Sequence, residues 1–468
     1  MHEQCFTNVL QLWLKSLQKS RLYTTDVKAI HHILTNHYEY QKPTLTRLAL
    51  SDIFGHGILH TEGDKHKFQR RVMNPAFGPA HIRQLTSVFV EKANELSESW
   101  RSQVDRTDGS ARIEVLSWLS KMTLDVIGRA GFNYEFNAIS SADSNLDELN
   151  RAFTTIFSQS NDNRLWSLLR FHFPVLRVFP DFGDKAIATA RRTMHRIGEQ
   201  LLGDSKRALA ADQNEKTVAG RDLLTLLVKS NMNEKQGQQM SDDDVLAQVP
   251  TFMIAGHETT STATTWTLYV LSQRPDIQTK LREELLKVPT DTPTMDQLND
   301  LPYLDAIVRE TLRVHPPVPS TSREAQQDGV IPLSEPVNGK NYVEVRKGQT
   351  MPISILALNR SKKLWGEDAR EFNPDRWVNG SVDTALPGVW GNMMTFLGGA
   401  KSCIGFRFAL VEMKALLFSL VRTFEFELAV PVEEITKRTS IVQRPHLKSE
   451  EQKGGQLPLL VKLYDRDM

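Results

Sequence analysis

Cysteine occurs twice in the 468 residues, at Cys5 and Cys403, and only the second stands in a setting that could do chemistry. It sits in Phe396-Leu-Gly-Gly-Ala-Lys-Ser-Cys-Ile-Gly405, crowded by Gly398, Gly399 and Gly405 and flanked by Phe396 and Lys401. Glycines let a backbone approach something bulky or adopt a positive φ. Beyond the cysteine, Ile404, Phe408, Leu410, Val411, Leu416, Leu417 and Leu420 recur with a helical period. Cys403 is therefore expected where a glycine-rich loop enters a helix. Backbone N–H groups and the helix dipole favour an anionic sulfur there. A thiolate held in this way is a good ligand for a soft metal. Taken alone, a single cysteine beside a helix start reads more plainly as buried and inert.

A second stretch combines an acid with an alcohol. Ser241-Asp-Asp-Asp opens a helix strongly, because Ser241 can cap it and the acids suit its dipole. The helix is expected over about 241–273, with Pro250 a kink. Inside it lies Ala255-Gly-His-Glu-Thr-Thr260. The small pair Ala255 and Gly256 leaves room beside the helix. Glu258 and Thr259 are adjacent, and the Thr259 hydroxyl can bond the Ala255 carbonyl or donate elsewhere. Two other readings fail. His257-Glu258 is not a zinc-protease signature, since Ser261 stands where a second histidine is required, and Gly398–Ser402 is not a phosphate loop, since Ala400 stands where the final glycine belongs.

Three further groups are charged. His66 and Arg70 lie four apart on a predicted helix and share a face. Lys65, Lys67 and Arg71 project elsewhere from the same helix. Glu310 and Arg313, three apart in the predicted helix 302–314, also share a face, and Arg376 follows in Phe372-Asn-Pro-Asp-Arg-Trp377. Alone, each is a common surface pattern.

Together the motifs resemble the cytochrome P-450 family, in the style of its eukaryotic microsomal members and of fungal ones. The resemblance covers about residues 21–465 and rests on Phe-x-x-Gly-x-Lys-x-Cys-x-Gly, Ala-Gly-His-Glu-Thr-Thr, Glu-Thr-Leu-Arg and Phe-Asn-Pro-Asp-Arg in the family's order. It implies a mainly α fold with small β-sheets. Haem b would lie between the 241–273 helix and the cysteine loop, its iron ligated by Cys403. Phe396, Gly399, Gly405, Ala255 and Gly256 would border the haem, with His66, Arg70, Arg323 and Lys401 at its propionates. Lys401 departs from the usual Arg or His; a cation is kept, as a point charge rather than a fork. Glu258 and Thr259 would deliver protons during oxygen activation. Glu310, Arg313 and Arg376 would form a buried trio supporting the haem loop, since buried charges need mutual pairing. Val318, Pro319, Ser320, Thr321, Ile441 and Val442 would line the substrate pocket.

The implied reaction is monooxygenation of a small hydrophobic substrate, such as a terpenoid of secondary metabolism, with O2. The chain has no Gly-x-Gly-x-x-Gly site, so NADPH would act only through a flavoprotein reductase. Lys65, Lys67 and Arg71 are candidates for that reductase's docking face. Two alternatives remain: a haem-thiolate isomerase or dehydratase that needs no reductase, and a non-catalytic, truncated haem protein.

Around these motifs the chain must supply long helices. Segments 85–102, 112–131, 146–158 and about 185–210 read as helices, as does 27–36. Strands are expected at 21–25, 320–325 and 343–355. Residues 1–20 form an atypical amphipathic segment, fitting either an ordinary surface helix or membrane contact. They stand where related eukaryotic chains carry a membrane helix and a proline-rich hinge. Residues 21–468 are expected to form one domain. The apolar, aromatic run 164–182 suits a membrane interface. Peripheral association with the cytosolic side of the endoplasmic reticulum is the expectation, because no run approaches the roughly 20 apolar residues of a membrane span. Lys+Arg at 57 against Asp+Glu at 56 argues against a nucleic-acid partner, and two cysteines argue against a disulfide scaffold.

Overall fold

A computed structural model describes residues 21–107, 109–140, 148, 184–211, 222–234, 239–378, 380 and 384–465. The amphipathic segment 1–20, the 146–158 helix apart from residue 148, and the run 164–182 lie outside these residues.

The expected mainly α architecture with small sheets is present. Four helices make its centre: Pro79–Asp105, Val115–Phe132, Gln248–Leu271 and Phe406–Thr423. Gln248–Leu271 is buried on nearly every side, the pattern of a central helix. Its many hydroxyls would be costly inside a core. Thr259, Ser261, Thr264, Thr265 and Thr267 avoid that cost by donating to carbonyls one turn back, at 2.7–3.1 Å. This helix packs on Val115–Phe132 and on Phe406–Thr423, the helix that follows the cysteine loop, which also packs on Pro79–Asp105.

The strands are antiparallel. Ser320–Ala325 lies between Tyr40–Gln41 and Thr350–Ser354. Pro458–Leu463 lies between Ser110–Glu114 and Phe424–Leu428. Gly329–Val337 pairs with Lys340–Val345, and Ile435–Thr439 pairs with Gln443–Leu447 as a hairpin.

Several boundaries differ from expectation. The 241–273 helix is two pieces, Asp242–Leu246 and Gln248–Leu271, meeting at Ala247. Pro250 has no N–H to donate to Leu246, which removes one rung at that junction. Ser241 caps the first piece by accepting from the Asp244 N–H at 3.1 Å. Residues 112–114 belong to a strand, because they pair with Pro458–Leu460, and the helix starts only at Val115, where Glu114 accepts from Leu116 and Ser117 N–H. The 343–355 strand is interrupted: Lys340–Val345 and Thr350–Ser354 flank Gly348, whose φ of 80° makes a turn. Arg21–Thr25 is no strand beyond one bridge, from Arg21 to Thr350.

Candidate functional site

The cysteine loop is held by backbone. Cys403 N–H donates to the Phe396 carbonyl at 2.8 Å. Gly399 has φ 68°, and a Cβ there would stand 2.5 Å from the Leu34 carbonyl oxygen. A Cβ on Gly398 would stand 1.6 Å from the Pro387 carbonyl oxygen. Both positions therefore demand glycine. Gly405 does not: its φ is −91° and a Cβ would make only ordinary contact with Phe77. Its contribution is an N–H offered to the sulfur. Phe396 packs edge-on against Trp390 and is tilted toward Phe406.

Cys403 is the only cysteine among the described residues, and it is solvent-accessible. Burial nevertheless pushes its thiol up, while the Gly405 N–H and the Arg70 guanidinium pull it down. The two observations describe a sulfur recessed in a concavity rather than on an outer face. Arg70 donates to the Ser402 carbonyl and, at 3.3 Å, to its hydroxyl.

A charged cluster lies beside the loop. Lys401 Nζ is 2.5 Å from Glu62 Oε2 and 3.0 Å from the Thr61 carbonyl, and Lys42 Nζ is 3.2 Å from Glu62 Oε1. Lys401 is thus paired within the protein, to an acid that the sequence did not mark. Burial, with Lys42 nearby, takes its ammonium down to about 7. Burial also takes the His66 imidazole down to about 3, helped by Lys401 and Lys42. His66 is therefore a neutral ring at physiological pH. Arg323 is 2% exposed and donates to the Thr321 hydroxyl and the Ser322 carbonyl. Burial alone would raise the Glu62 carboxyl, but Lys42 and Lys401 outweigh it and hold it below its ordinary value. Nothing in the sequence pattern pointed to Glu62 or Lys42; a 360-residue separation between Lys42 and the loop carries no local signal.

On the Gln248–Leu271 helix, Ala255 is exposed directly after the buried run 251–254, so the expected room exists there. Gly256 offers none: a Cβ would come 2.9 Å from Ile127, so the glycine serves close helix packing. The Thr259 hydroxyl donates to the Ala255 carbonyl at 2.8 Å. The Glu258 carboxylate does not meet that hydroxyl. It pairs with Arg444 from the Ile435–Leu447 hairpin, and its other oxygen lies 3.3 Å from His257 Nε2. The acid and the alcohol are neighbours in sequence whose side chains make separate contacts.

The matched family model, described as Cytochrome P450, covers residues 2–449. The chain belongs to the cytochrome P450 family. It is 53% identical over 463 residues to cytochrome P450 monooxygenase 205 of Postia placenta, covering 96% of this chain and 85% of that one. Monooxygenase 128 of the same fungus is 52% identical over 478 residues, covering 98% and 86%. The ganoderic acid synthetase of Ganoderma lucidum is 36% identical over 455 residues, covering 91% and 82%. This P450 is accordingly an oxidoreductase of the monooxygenase class, with haem b ligated through a cysteine as its cofactor.

The donor set fits haem b. A recessed thiol faces an N–H and a guanidinium. Lys42, Arg323 and Lys401 surround the Glu62 carboxylate, Arg70 lies beside the cysteine loop, and together they leave positive charge that two propionates would balance. The charge trio is also assembled. Glu310 and Arg313 are both fully buried and 2.7 Å apart, and Arg376 Nε reaches Glu310 Oε1 at 3.3 Å. Gln443 N–H donates to the Pro317 carbonyl at 2.8 Å, which ties the segment after Ile441 and Val442 to the segment before Val318 and Pro319. Val442 is buried, whereas Ser320 and Ile441 are exposed and Thr321 is half-buried.

The three cations read as candidates for a docking face are less free than their sequence suggested. Lys65 pairs with Asp244 at 2.7 Å and Arg71 with Glu234 at 2.8 Å, so the two are neutralised by the chain itself. Lys67 stays exposed.

One buried acid escaped the motif reading. Glu412 lies on the cysteine helix, fully buried, and neither carboxyl oxygen meets a donor in good geometry. Burial raises its carboxyl well above 4.5; the nearby Thr260 hydroxyl opposes this too weakly to prevail. A lone acid four residues after Phe408 and four before Leu416, on the apolar face, was the available signal. An acid whose folded-state value is raised costs stability once the unfolded chain ionises, so the cost grows as pH climbs above about 4.5. Glu412→Gln is expected to raise the melting temperature relative to the parent at pH 7 and to narrow that gap at pH 5. Melting curves that stay parallel across this range would show that the carboxyl is not strained.

Proposed function

We propose that this chain inserts one atom of O2 into a small hydrophobic substrate, with Cys403 as the proximal iron ligand and an NADPH-dependent flavoprotein reductase as electron donor. The observation that carries this reading is the recessed Cys403 thiol, set among a Gly405 N–H, Arg70 and a cationic cluster. Bound haem would supply the oxygen-activating chemistry: RH + O2 + 2e⁻ + 2H⁺ gives ROH + H2O.

The residues have separable tasks. Cys403 holds the iron from the loop. Arg70, Arg323, Lys401 and His66 neutralise or border the propionate side. Val318, Pro319, Ser320, Thr321, Ile441 and Val442 shape the substrate space. Thr259 and Glu258 handle protons, and the Thr259 hydroxyl must leave the Ala255 carbonyl to donate elsewhere. The relatives' sources and the ganoderic acid synthetase among them favour secondary-metabolite oxidation, such as that of a terpenoid. Among the described residues no helix is long and apolar enough to cross a membrane. Peripheral contact at the endoplasmic reticulum surface through 1–20 and 164–182 is part of the same proposal, and alkaline carbonate should then strip the chain from membranes.

The test is NADPH and O2 consumption with a fungal reductase, in the parent and in Thr259→Ala. A positioned proton donor contributes about 10²–10⁴-fold. The variant is expected to keep consuming NADPH while hydrogen peroxide replaces product, and Thr259→Ser should restore coupling. Thr260→Ala is no neutral control, because Thr260 is buried against Glu412. A Thr259→Ala enzyme as coupled as the parent removes the threonine from the relay. Turnover without any NADPH would instead favour an isomerase or dehydratase.

A further inference from the structure

The acid of the acid–alcohol pair is anchored by a residue from the far end of the chain. Arg444 Nη2 contacts Glu258 Oε2, and both side chains are largely shielded, at 28% and 14% exposed. The arginine is aimed by three features. Its strand is strapped to the central helix, where the Gln443 carbonyl accepts from Trp266 Nε1 at 2.8 Å. The next segment is tied to the strand by Gln456 N–H donating to the Pro445 carbonyl at 2.9 Å. Between them Gly455 forms a slot: a Cβ there would stand 3.1 Å from both Arg444 Cδ and Leu116 Cδ2. A side chain at position 455 would therefore push the arginine stem away from the helix. The same hairpin carries Ile441 and Val442, three and two residues before Arg444, next to Gln443, whose N–H is bonded to the Pro317 carbonyl.

We propose that Arg444 is a positioning residue for proton delivery, holding the Glu258 carboxylate at the outer end of the relay whose inner end is Thr259. The inference rests on the monooxygenase reading of this site. A bidentate-capable guanidinium can fix a carboxylate's direction as well as its distance. The pair is partly solvent-accessible and Thr259 is the next residue on the helix, so protons can enter at the pair and leave at the hydroxyl. Because the arginine and the substrate-lining residues share one hairpin, the fit of a substrate against Ile441 and Val442 also sets how well Glu258 is held.

The experiment needs no identified substrate. With reductase and NADPH but no added substrate, oxygen leaves either as peroxide (O2 + 2e⁻ + 2H⁺) or as water (O2 + 4e⁻ + 4H⁺). Peroxide released per O2 consumed therefore reads proton delivery. Arg444→Gln, Glu258→Gln, the double variant and Arg444→Lys are compared with the parent, alongside a thermal-unfolding cycle on the parent, the two glutamine singles and the double. Expected are a severalfold higher peroxide fraction in both single glutamine variants, no further rise in the double, and a parent-like fraction in Arg444→Lys. The melting shifts of the two singles should be non-additive, as for residues in contact. An unchanged peroxide fraction in Arg444→Gln overturns the inference, as do additive shifts, or equal loss in the Lys and Gln variants. A parent that consumes no NADPH overturns the monooxygenase reading instead.

Discussion

Cys403→Ser is expected to abolish the thiolate-type carbon-monoxide difference spectrum and to leave no NADPH-dependent product. Among the described residues no other cysteine could replace it. Serine keeps nearly the same shape, so the loop should survive: its fixed points are the glycine contacts at 398 and 399 and the Cys403 N–H to Phe396 bond, none of which uses the sulfur. What is lost is a soft, readily ionised ligand. A hydroxyl is harder and far less acidic than a thiol, and the Gly405 N–H and Arg70 cannot make it a thiolate equivalent. Haem content should be measured with the spectrum. Retained haem with a non-thiolate spectrum is the expected pairing. A thiolate-type spectrum in the serine variant would remove Cys403 from the iron and the proposed function with it.

Where chemistry depends on local spacing, the sequence was readable. The loop-to-helix setting of Cys403, the Ser241 cap, the Glu310–Arg313 helix and the strand Ser320–Ala325 all follow from neighbours within a few residues. What escaped were the long-range partners that no family motif marks. Glu62, itself paired with Lys42, meets Lys401 from more than 330 residues away, and Arg444 meets Glu258 from 186 residues away. No period or short motif encodes such pairings. Gly256 shows a different failure: small size was read as space for a cofactor, whereas Ile127 already fills it. Glycine at a helix surface signals close approach, but only the structure says of what. The break in the 241–273 helix was expected at Pro250 but falls three residues earlier, at Ala247, because a proline removes the rung behind it rather than one at its own position.

Glu310→Ala is expected to cost about 3–5 kcal/mol, the usual effect of leaving a buried charge uncompensated. The size follows from how completely the group is used. Glu310 accepts from Arg313 Nε and Nη2 at 2.8 and 2.7 Å, from the Asn373 N–H at 2.9 Å, from Trp377 Nε1 at 2.8 Å and from Arg376 Nε at 3.3 Å. Arg313 spends its remaining donors on the carbonyls of Asn359, Ala369 and Glu371, so all five of its N–H groups are placed. The network reaches the cysteine loop through Asn359, a residue the motif reading did not name. Its side chain accepts from the Met394 N–H and donates to the Thr395 hydroxyl, both at 2.8 Å, two and one residues before Phe396. Removing Glu310 should therefore lower both the unfolding midpoint and the haem content. Arg376→Ala should do less, because that side chain keeps 11% exposure and leaves Glu310 its other four donors. Arg313→Lys should behave like a deletion, since three donors on a flexible stem cannot replace a five-donor fork. Urea unfolding and pyridine haemochrome assays on the three variants check the order. A haem-replete Glu310→Ala protein within about 0.5 kcal/mol of the parent, the range of ordinary surface changes, would show the trio to be dispensable to the loop.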